Sequence, residues 1–540
     1  MKKYAVGLFC LFCVLGVLAC GCHDGGSVGR RGFEQPVEVL RRTITTEPSS
    51  LDPQRAGDTT SFEILRDLFE GLTTESPLGE IVGGVAESWS VSSAGTEYVF
   101  RLREDARWTN GEHVTAQDFV RALRRAVDPV SASPSCYLLK KIRGAEEIIL
   151  GKVPSTELGV QVVNDKTLKI FLIKPAPELV NILAHPVAYP RHKSADVKGP
   201  NTVSEHIVSN GAYELIYRVP ASILKISRNK FYWDASAVSI AKIEYLFVDD
   251  LSSQVKRFRA NQVDVTSSLS SADLNGSGSD FSRELYLRMQ LSLIFAAFNN
   301  RSGVFRDSPS LRQALSLVID REKVVSEILR AGQVPAYGIV PAGITGYAPV
   351  RYSWLVDDYS KRVLRARLLY SALGYDNEKA LKIRVICPAD DTFRLVILSF
   401  AAMWRETLGV EVVIDTLEYQ AFLEVRKNYS KWDILLHGWN ADYSDPATFL
   451  EIFRTGDINN DAGFQSSDFD SLLDMAESAA SRLDRFRLLR DAEALLLQSY
   501  AVVPVYFPVT RRLVKPWVHG GVTSPMDHNY SKYFSIENHK

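Results

Sequence analysis

An α/β protein of two lobes with a cleft between them is what the sequence predicts, on three observations. Strand and helix patterns alternate in two separate series, over residues 240–265 and 383–439, and each reads as a β-α-β arrangement. The series are unlike in sequence and show no internal repeat, so they build two different lobes. The second series ends in the apolar run 432–436, and Gly438-Trp-Asn-Ala-Asp-Tyr443 follows at once. That places a carboxylate, with an indole and a phenol beside it, where a buried strand ends, the usual place for ligand contacts in an α/β layer.

The chain of 540 residues suggests about three domains. With 46% hydrophobic and 24% charged residues it can bury large cores. A formal net charge of −1, with no long basic run outside the extreme N-terminus, argues against a nucleic-acid partner. Lys2 and Lys3 precede an apolar run from Tyr4 to Leu18, and Ala19-Cys20 closes it. This has the layout of a lipoprotein signal, with Cys20 as the lipidated residue of an exported protein and Cys22 as the second candidate. The other reading is an uncleaved anchor, for which about 15 apolar residues is short. Residues 21–35 read as a flexible tether. Of the six cysteines only Cys136 and Cys387 lie in the body, and spacing does not say whether they meet.

Alternation predicts a strand at 37–46, broken by Glu47 to Pro53, and helical spacing covers 61–72. A strand at 98–103 leads to the turn signal Asn110-Gly111. Thr115-Ala-Gln-Asp118 has the form of a capping box, opening a helix that stops before Pro129. Strands are expected at 166–173, 213–226 and 240–248, a helix at 251–260, a short strand at 263–265, and a loop over the Ser/Gly/Asp-rich stretch 267–282. The second series runs strand 383–387, helix 394–407, strand 410–415, helix 419–427 and the strand before Trp439. Ser444 or Asp445 can cap the helix that follows, with Pro446 in its first turn. A helix at 483–500 and a strand at 502–514 complete the chain.

Catalytic signatures are missing: no Gly-x-Ser-x-Gly, His-Glu-x-x-His, P-loop or Cys-x-x-Cys occurs in the mature body. The nine histidines include no pair at i, i+3 or i+4, so neither a metal nor another cofactor is expected. These residues alone leave Asp442 open between a cation site and a loop-shaping carboxylate beside a core indole.

A resemblance narrows that choice. Ala86-Glu-Ser-Trp, Phe100-Arg-Leu-Arg, Trp108-Thr-Asn-Gly-Glu and Val114-Thr-Ala-Gln-Asp-Phe-Val resemble the signature of extracellular solute-binding proteins of the peptide/nickel family, receptors of ABC importers. So, in order, do Ser209-Asn-Gly-Ala-Tyr213, Tyr232-Trp233, Pro335-Ala-Tyr337, Val502-Val-Pro-Val-Tyr506 and Arg512-Leu-Val-Lys-Pro-Trp517. The resemblance covers nearly all of the mature chain and is greatest to the oligopeptide-binding members. It implies a two-lobed periplasmic binding protein fold of type II with an extra domain and the ligand enclosed between the lobes. Lobe I would comprise 36–69, 191–291 and 510–540, the additional domain 70–190 and lobe II 292–509, after a signal peptide at 1–20.

By the same resemblance Asp442 meets the α-ammonium of an extended peptide whose backbone is bonded like an added strand. Gly438, Trp439, Asn440, Tyr419, His437 and Phe295 form walls around it, and Arg426 or Lys427 is available for the far carboxylate. The family's basic positions for that carboxylate fall on Leu329, Phe393 and Leu436, with Arg330 and Arg394 adjacent, so the far end departs from the pattern. The implied partners are an oligopeptide, the permease subunits of the importer and a membrane reached through the lipid. The implied state is a monomer in the periplasm or cell envelope, without catalysis. A receptor for a modified cell-wall peptide or a nickel chelate is the alternative within the family, and a surface lipoprotein outside transport is another.

Overall fold

Two hydrophobic cores organise the chain. The computed structural model describes residues 39–197, 207–277, 281, 283–376, 378–479, 481–522 and 524–537. The expected signal, the tether, Cys20 and Cys22 lie outside these residues.

The first core runs from Leu40 to Phe534 and carries two four-stranded sheets. In one, Val39–Ile44 pairs in parallel with Lys242–Phe247, which is followed by Ile223–Arg228 and Tyr213–Val219 in antiparallel order. The other is antiparallel, in the order Ala86–Val91, Glu97–Leu102, Thr167–Phe171, Val160–Asn164. The helix Ala116–Val127 buries Phe119, Val120, Leu123 and Val127 here. Its expected capping box forms, with the Asp118 carboxylate accepting from the Thr115 N–H at 3.0 Å and the Thr115 hydroxyl at 3.1 Å.

The second core surrounds one six-stranded mixed sheet. Its order is Val334–Pro335, Val502–Phe507, Ser292–Phe298, Ile434–Asn440, Lys382–Pro388, Glu411–Leu417. The last three strands run parallel, so their C-terminal ends share one edge of the lobe, as β-α-β connections require. All seven residues of Ser292–Phe298 are buried, because helices or loops cover both faces of this central strand.

Two adjacent strands carry the chain between the lobes. Leu285–Met289 pairs with Val509–Leu513 outside the six-stranded sheet, and each then continues into that sheet as Ser292–Phe298 and Val502–Phe507. Both break at one level, where the Gln290 N–H donates to the Pro508 carbonyl at 2.9 Å. Pro508 has no N–H for a ladder, which explains why the expected strand 502–514 is two strands.

Other boundaries differ for local reasons. The expected strand 213–226 is a hairpin turning near Ala221, which takes φ +54°. The expected strand 263–265 reduces to Val265, which bridges Arg42 and Val514. A helix, Ser271–Ser277, occupies part of the expected loop 267–282. The strand before the ligand loop extends to Asn440 and takes in Gly438 and Trp439. Gly438 suits that position, since a Cβ there would meet the Ile294 side chain and lie 3.1 Å from the Leu293 carbonyl oxygen. Cys136 and Cys387 are both free thiols.

Candidate ligand-binding site

The loop after Asn440 is pinned from three directions. The Ala441 N–H donates to the Leu291 carbonyl at 2.9 Å, and Ser292 Oγ donates to Asn440 Oδ1 at 2.7 Å. Thr448, in the short helix Ala447–Leu450, accepts from the Asp442 N–H at 3.1 Å and from the Trp439 indole at 3.5 Å. Of the two expected caps it is Asp445 that serves, taking the Ala447 N–H at 2.9 Å. Arg485 grips the same carboxylate with both terminal nitrogens, at 2.6 and 2.9 Å. A bidentate pair of this kind is among the stronger ways to fix a loop.

Asp442 stands where the two cores face each other. Trp439 and Ala441 pack on the second core, whereas Tyr443 packs on the first. From the first core the turn Cys136–Leu139 brings up Tyr137, whose hydroxyl donates to Asp442 Oδ1 at 2.9 Å. The phenol bonded to Asp442 is thus that of Tyr137, not of Tyr443 beside it in sequence. Among the described residues no cation pairs with Asp442. Burial pushes its carboxyl up to about 6, with the Tyr137 hydrogen bond offsetting part of that rise. Burial and the Asp442 charge raise the Tyr137 phenol well above its ordinary range.

The other expected residues divide into two groups. Tyr419 opens the helix Tyr419–Val425 directly after Glu411–Leu417, is 58% exposed, and shares the sheet edge of Trp439, Asn440 and Asp442. His437, Arg426 and Phe295 instead form a buried cluster. The His437 ring lies 4.5 Å from that of Phe295, and its Nε2 is 3.2 Å from Asp461 Oδ2, off the hydrogen-bond direction. Arg426 donates to the same oxygen at 3.0 Å. Phe295 is 1% exposed and packs edge-on against Phe453. Phe295 is therefore core rather than wall, because its strand is covered on both faces. Arg426 is already neutralised by Asp461, so it is not a spare cation for a ligand carboxylate.

At the expected far end, Leu329 and Leu436 are buried in the second core and Phe393 is half-buried against it. Arg330, Arg394 and Lys427 are exposed, with Arg330 Nε donating to the Glu327 carbonyl at 2.7 Å. Among the described residues no group of three or more His, Cys, Asp or Glu could hold a metal ion, and no helix is long and apolar enough to cross a membrane.

Sequence reasoning missed Tyr137, Thr448, Asp461 and Arg485. Tyr137 lies 305 positions from its partner, and no periodic pattern points from one to the other. Arg485 had only its charge as a signal.

Comparison with known proteins bears on this arrangement. Residues 80–461 match the family model described as bacterial extracellular solute-binding proteins, family 5 middle. The chain is 32% identical to the periplasmic murein peptide-binding protein MppA of Escherichia coli (strain K12), over 99% of this chain and 100% of that one. It is 33% identical to the periplasmic oligopeptide-binding protein OppA of the same organism, over 93% of each. Among solved structures, the unliganded open form of the murein tripeptide-binding MppA superimposes with a TM-score of 0.85 at 32% identity, covering 94% of this chain and 98% of that one.

Proposed function

The chain belongs to the bacterial extracellular solute-binding proteins of family 5, and from that premise we propose that it captures peptides with a free amino terminus between its lobes, at Asp442. One observation carries the reading. A carboxylate at the end of a central strand faces the opposite lobe with a phenol as partner and, among the described residues, no cation, and burial raises its titration. A ligand ammonium would supply the counter-charge. Tyr137 would add a polar wall, and Trp439 and Tyr419 apolar ones, while the ligand backbone takes most of the remaining hydrogen bonds. Such recognition is largely independent of side chains, because nearly every residue offers the same N–H and C=O.

In this reading lobe closure encloses the peptide as a hinge motion about Gln290 and Pro508. The division into 36–69, 191–291 and 510–540 against 292–509, with 70–190 as an added domain, follows from it. The protein acts in the periplasm as a monomer, without catalysis, held to a membrane by lipid on Cys20, and delivers its ligand to the permease subunits of an ABC importer. A second reading, a receptor for cell-wall peptides, draws support from the full-length match to the murein peptide-binding relative. Cell-wall peptides also carry amines, so Asp442 serves either ligand.

The test is titration calorimetry of one tripeptide against the wild type and Asp442→Asn. Leaving an enclosed ammonium without its carboxylate should cost on the order of 3–5 kcal/mol, a loss of several hundredfold or more in affinity. An affinity unchanged within about threefold would mean that the ligand's charge is met elsewhere.

A further inference from the structure

Ion pairs join the two lobes beside Asp442. Lys141 follows the Tyr137 turn on the first core, where Leu138, Leu139 and Ile142 are buried, and the Ile173 N–H holds its carbonyl at 3.0 Å. Its ammonium lies 2.5 Å from Glu178 Oε1 on the same lobe and 2.8 Å from Glu477 Oε1 on the helix Ser467–Glu477 of the second core. Both carboxylates are more than nine-tenths buried. Lys174 reaches Glu477 at 2.7 Å, and Arg485, which grips the ligand loop through Asp445, stands 3.8 Å from Glu178. Tyr443 seats the loop itself against the first core.

Resting on the proposed function above, we propose that Lys141 is a positioning residue for the ammonium site. By tying Glu178 of one lobe to Glu477 of the other, it fixes the turn that carries Tyr137 against the loop that carries Asp442. Physical necessity supports the role. Without Lys141, two buried carboxylates would face each other with less compensating charge, and the facing surfaces would separate to admit water. Asp442 would then lose the Tyr137 hydroxyl and much of the enclosure that strengthens its attraction for a cation.

A merely structural ion pair would affect all ligands alike, so the decisive readout is a ratio: the affinity of a tripeptide over that of its N-acetyl form. In Lys141→Met this ratio should fall by about five- to tenfold relative to wild type, a coupling typical of residues in one charge network. Lys141→Arg should restore it. Lys174→Met, which removes another ion pair to Glu477 but leaves the Tyr137 turn tied, should keep it within about twofold. Glu477→Gln, which cuts the bridge from the second lobe without stranding Glu178, should reproduce the fall and carries the test should Lys141→Met not fold. A high wild-type ratio unchanged in Lys141→Met and Glu477→Gln would overturn the positioning role. A wild-type ratio near one would instead overturn the reading of Asp442 on which it rests.

Discussion

At pH 7 the Asp442 carboxylate is charged, half-enclosed and, among the described residues, without a cation, an arrangement that favours taking up either a proton or an ammonium. Burial pushes its carboxyl up to about 6, above the ordinary carboxylate range, so the proton is the competitor. A bound ammonium would lower that value, and binding below about pH 6 must therefore release a proton. Affinity for a free-amine peptide should rise about tenfold from pH 5 to pH 7, since roughly one carboxylate in eleven is ionised at one unit below its midpoint, and should fall again above about pH 8 as the ligand amine loses its own proton. Asp442→Asn should bind weakly and without that slope. A profile that falls between pH 5 and pH 7 would assign the dependence to another group. Asp442 stood out in the sequence because a short motif carries it at a strand end, and the structure sets it beside Tyr137 of the facing core. Phe295 was not readable in the same way, since a strand buried on both faces has no alternation to tell wall from core. Arg426 looked like a spare cation because its partner Asp461, 35 positions on, forms no recognisable motif with it.

The elements of the second series were legible to within a few residues, because β-branched runs and amphipathic stretches alternate without ambiguity between 382 and 440. What sequence did not show is how the elements are fastened. The Arg482–Ser499 helix carries Glu493, which is fully buried and gathers the loop 339–350. Its carboxylate accepts from the N–H groups of Ile339, Val340 and Val350 at 2.9–3.0 Å and from the Tyr347 hydroxyl at 2.8 Å. Burial pushes this group up to about 7 despite those four donors. Glu493→Ala would leave three buried N–H groups unpaired, at about 1–3 kcal/mol each. The expected outcome is a stability loss of about 3 kcal/mol or more, read as a lower denaturation midpoint. With the folded value above the unfolded one, the titration of Glu493 favours folding most below the ordinary carboxylate range, and that contribution is lost as pH rises through about 7. Glu493→Gln should flatten that part of the pH-stability curve.

For the whole molecule, a two-lobed α/β architecture was readable from two unlike series, whereas the route between the lobes was not. The crossing depends on the register of two strands at Gln290 and Pro508, more than 200 positions apart, and on a proline that interrupts both ladders at one level. In the proposed reading this short crossing is the hinge about which the lobes close. Small-angle scattering should accordingly show a smaller radius of gyration with saturating peptide. An unchanged radius with binding established would mean that the cleft is closed beforehand. The central claim is narrower, that Asp442 and the ligand amine are partners, and a four-way calorimetric cycle tests it most directly: a tripeptide and its N-acetyl form, each against wild type and Asp442→Asn. The account predicts that acetylation costs about 3 kcal/mol or more in the wild type and less than about 0.5 kcal/mol in the variant, within the additivity of independent sites. An equal cost in both proteins would show that the amine is read by some other group and would contradict it.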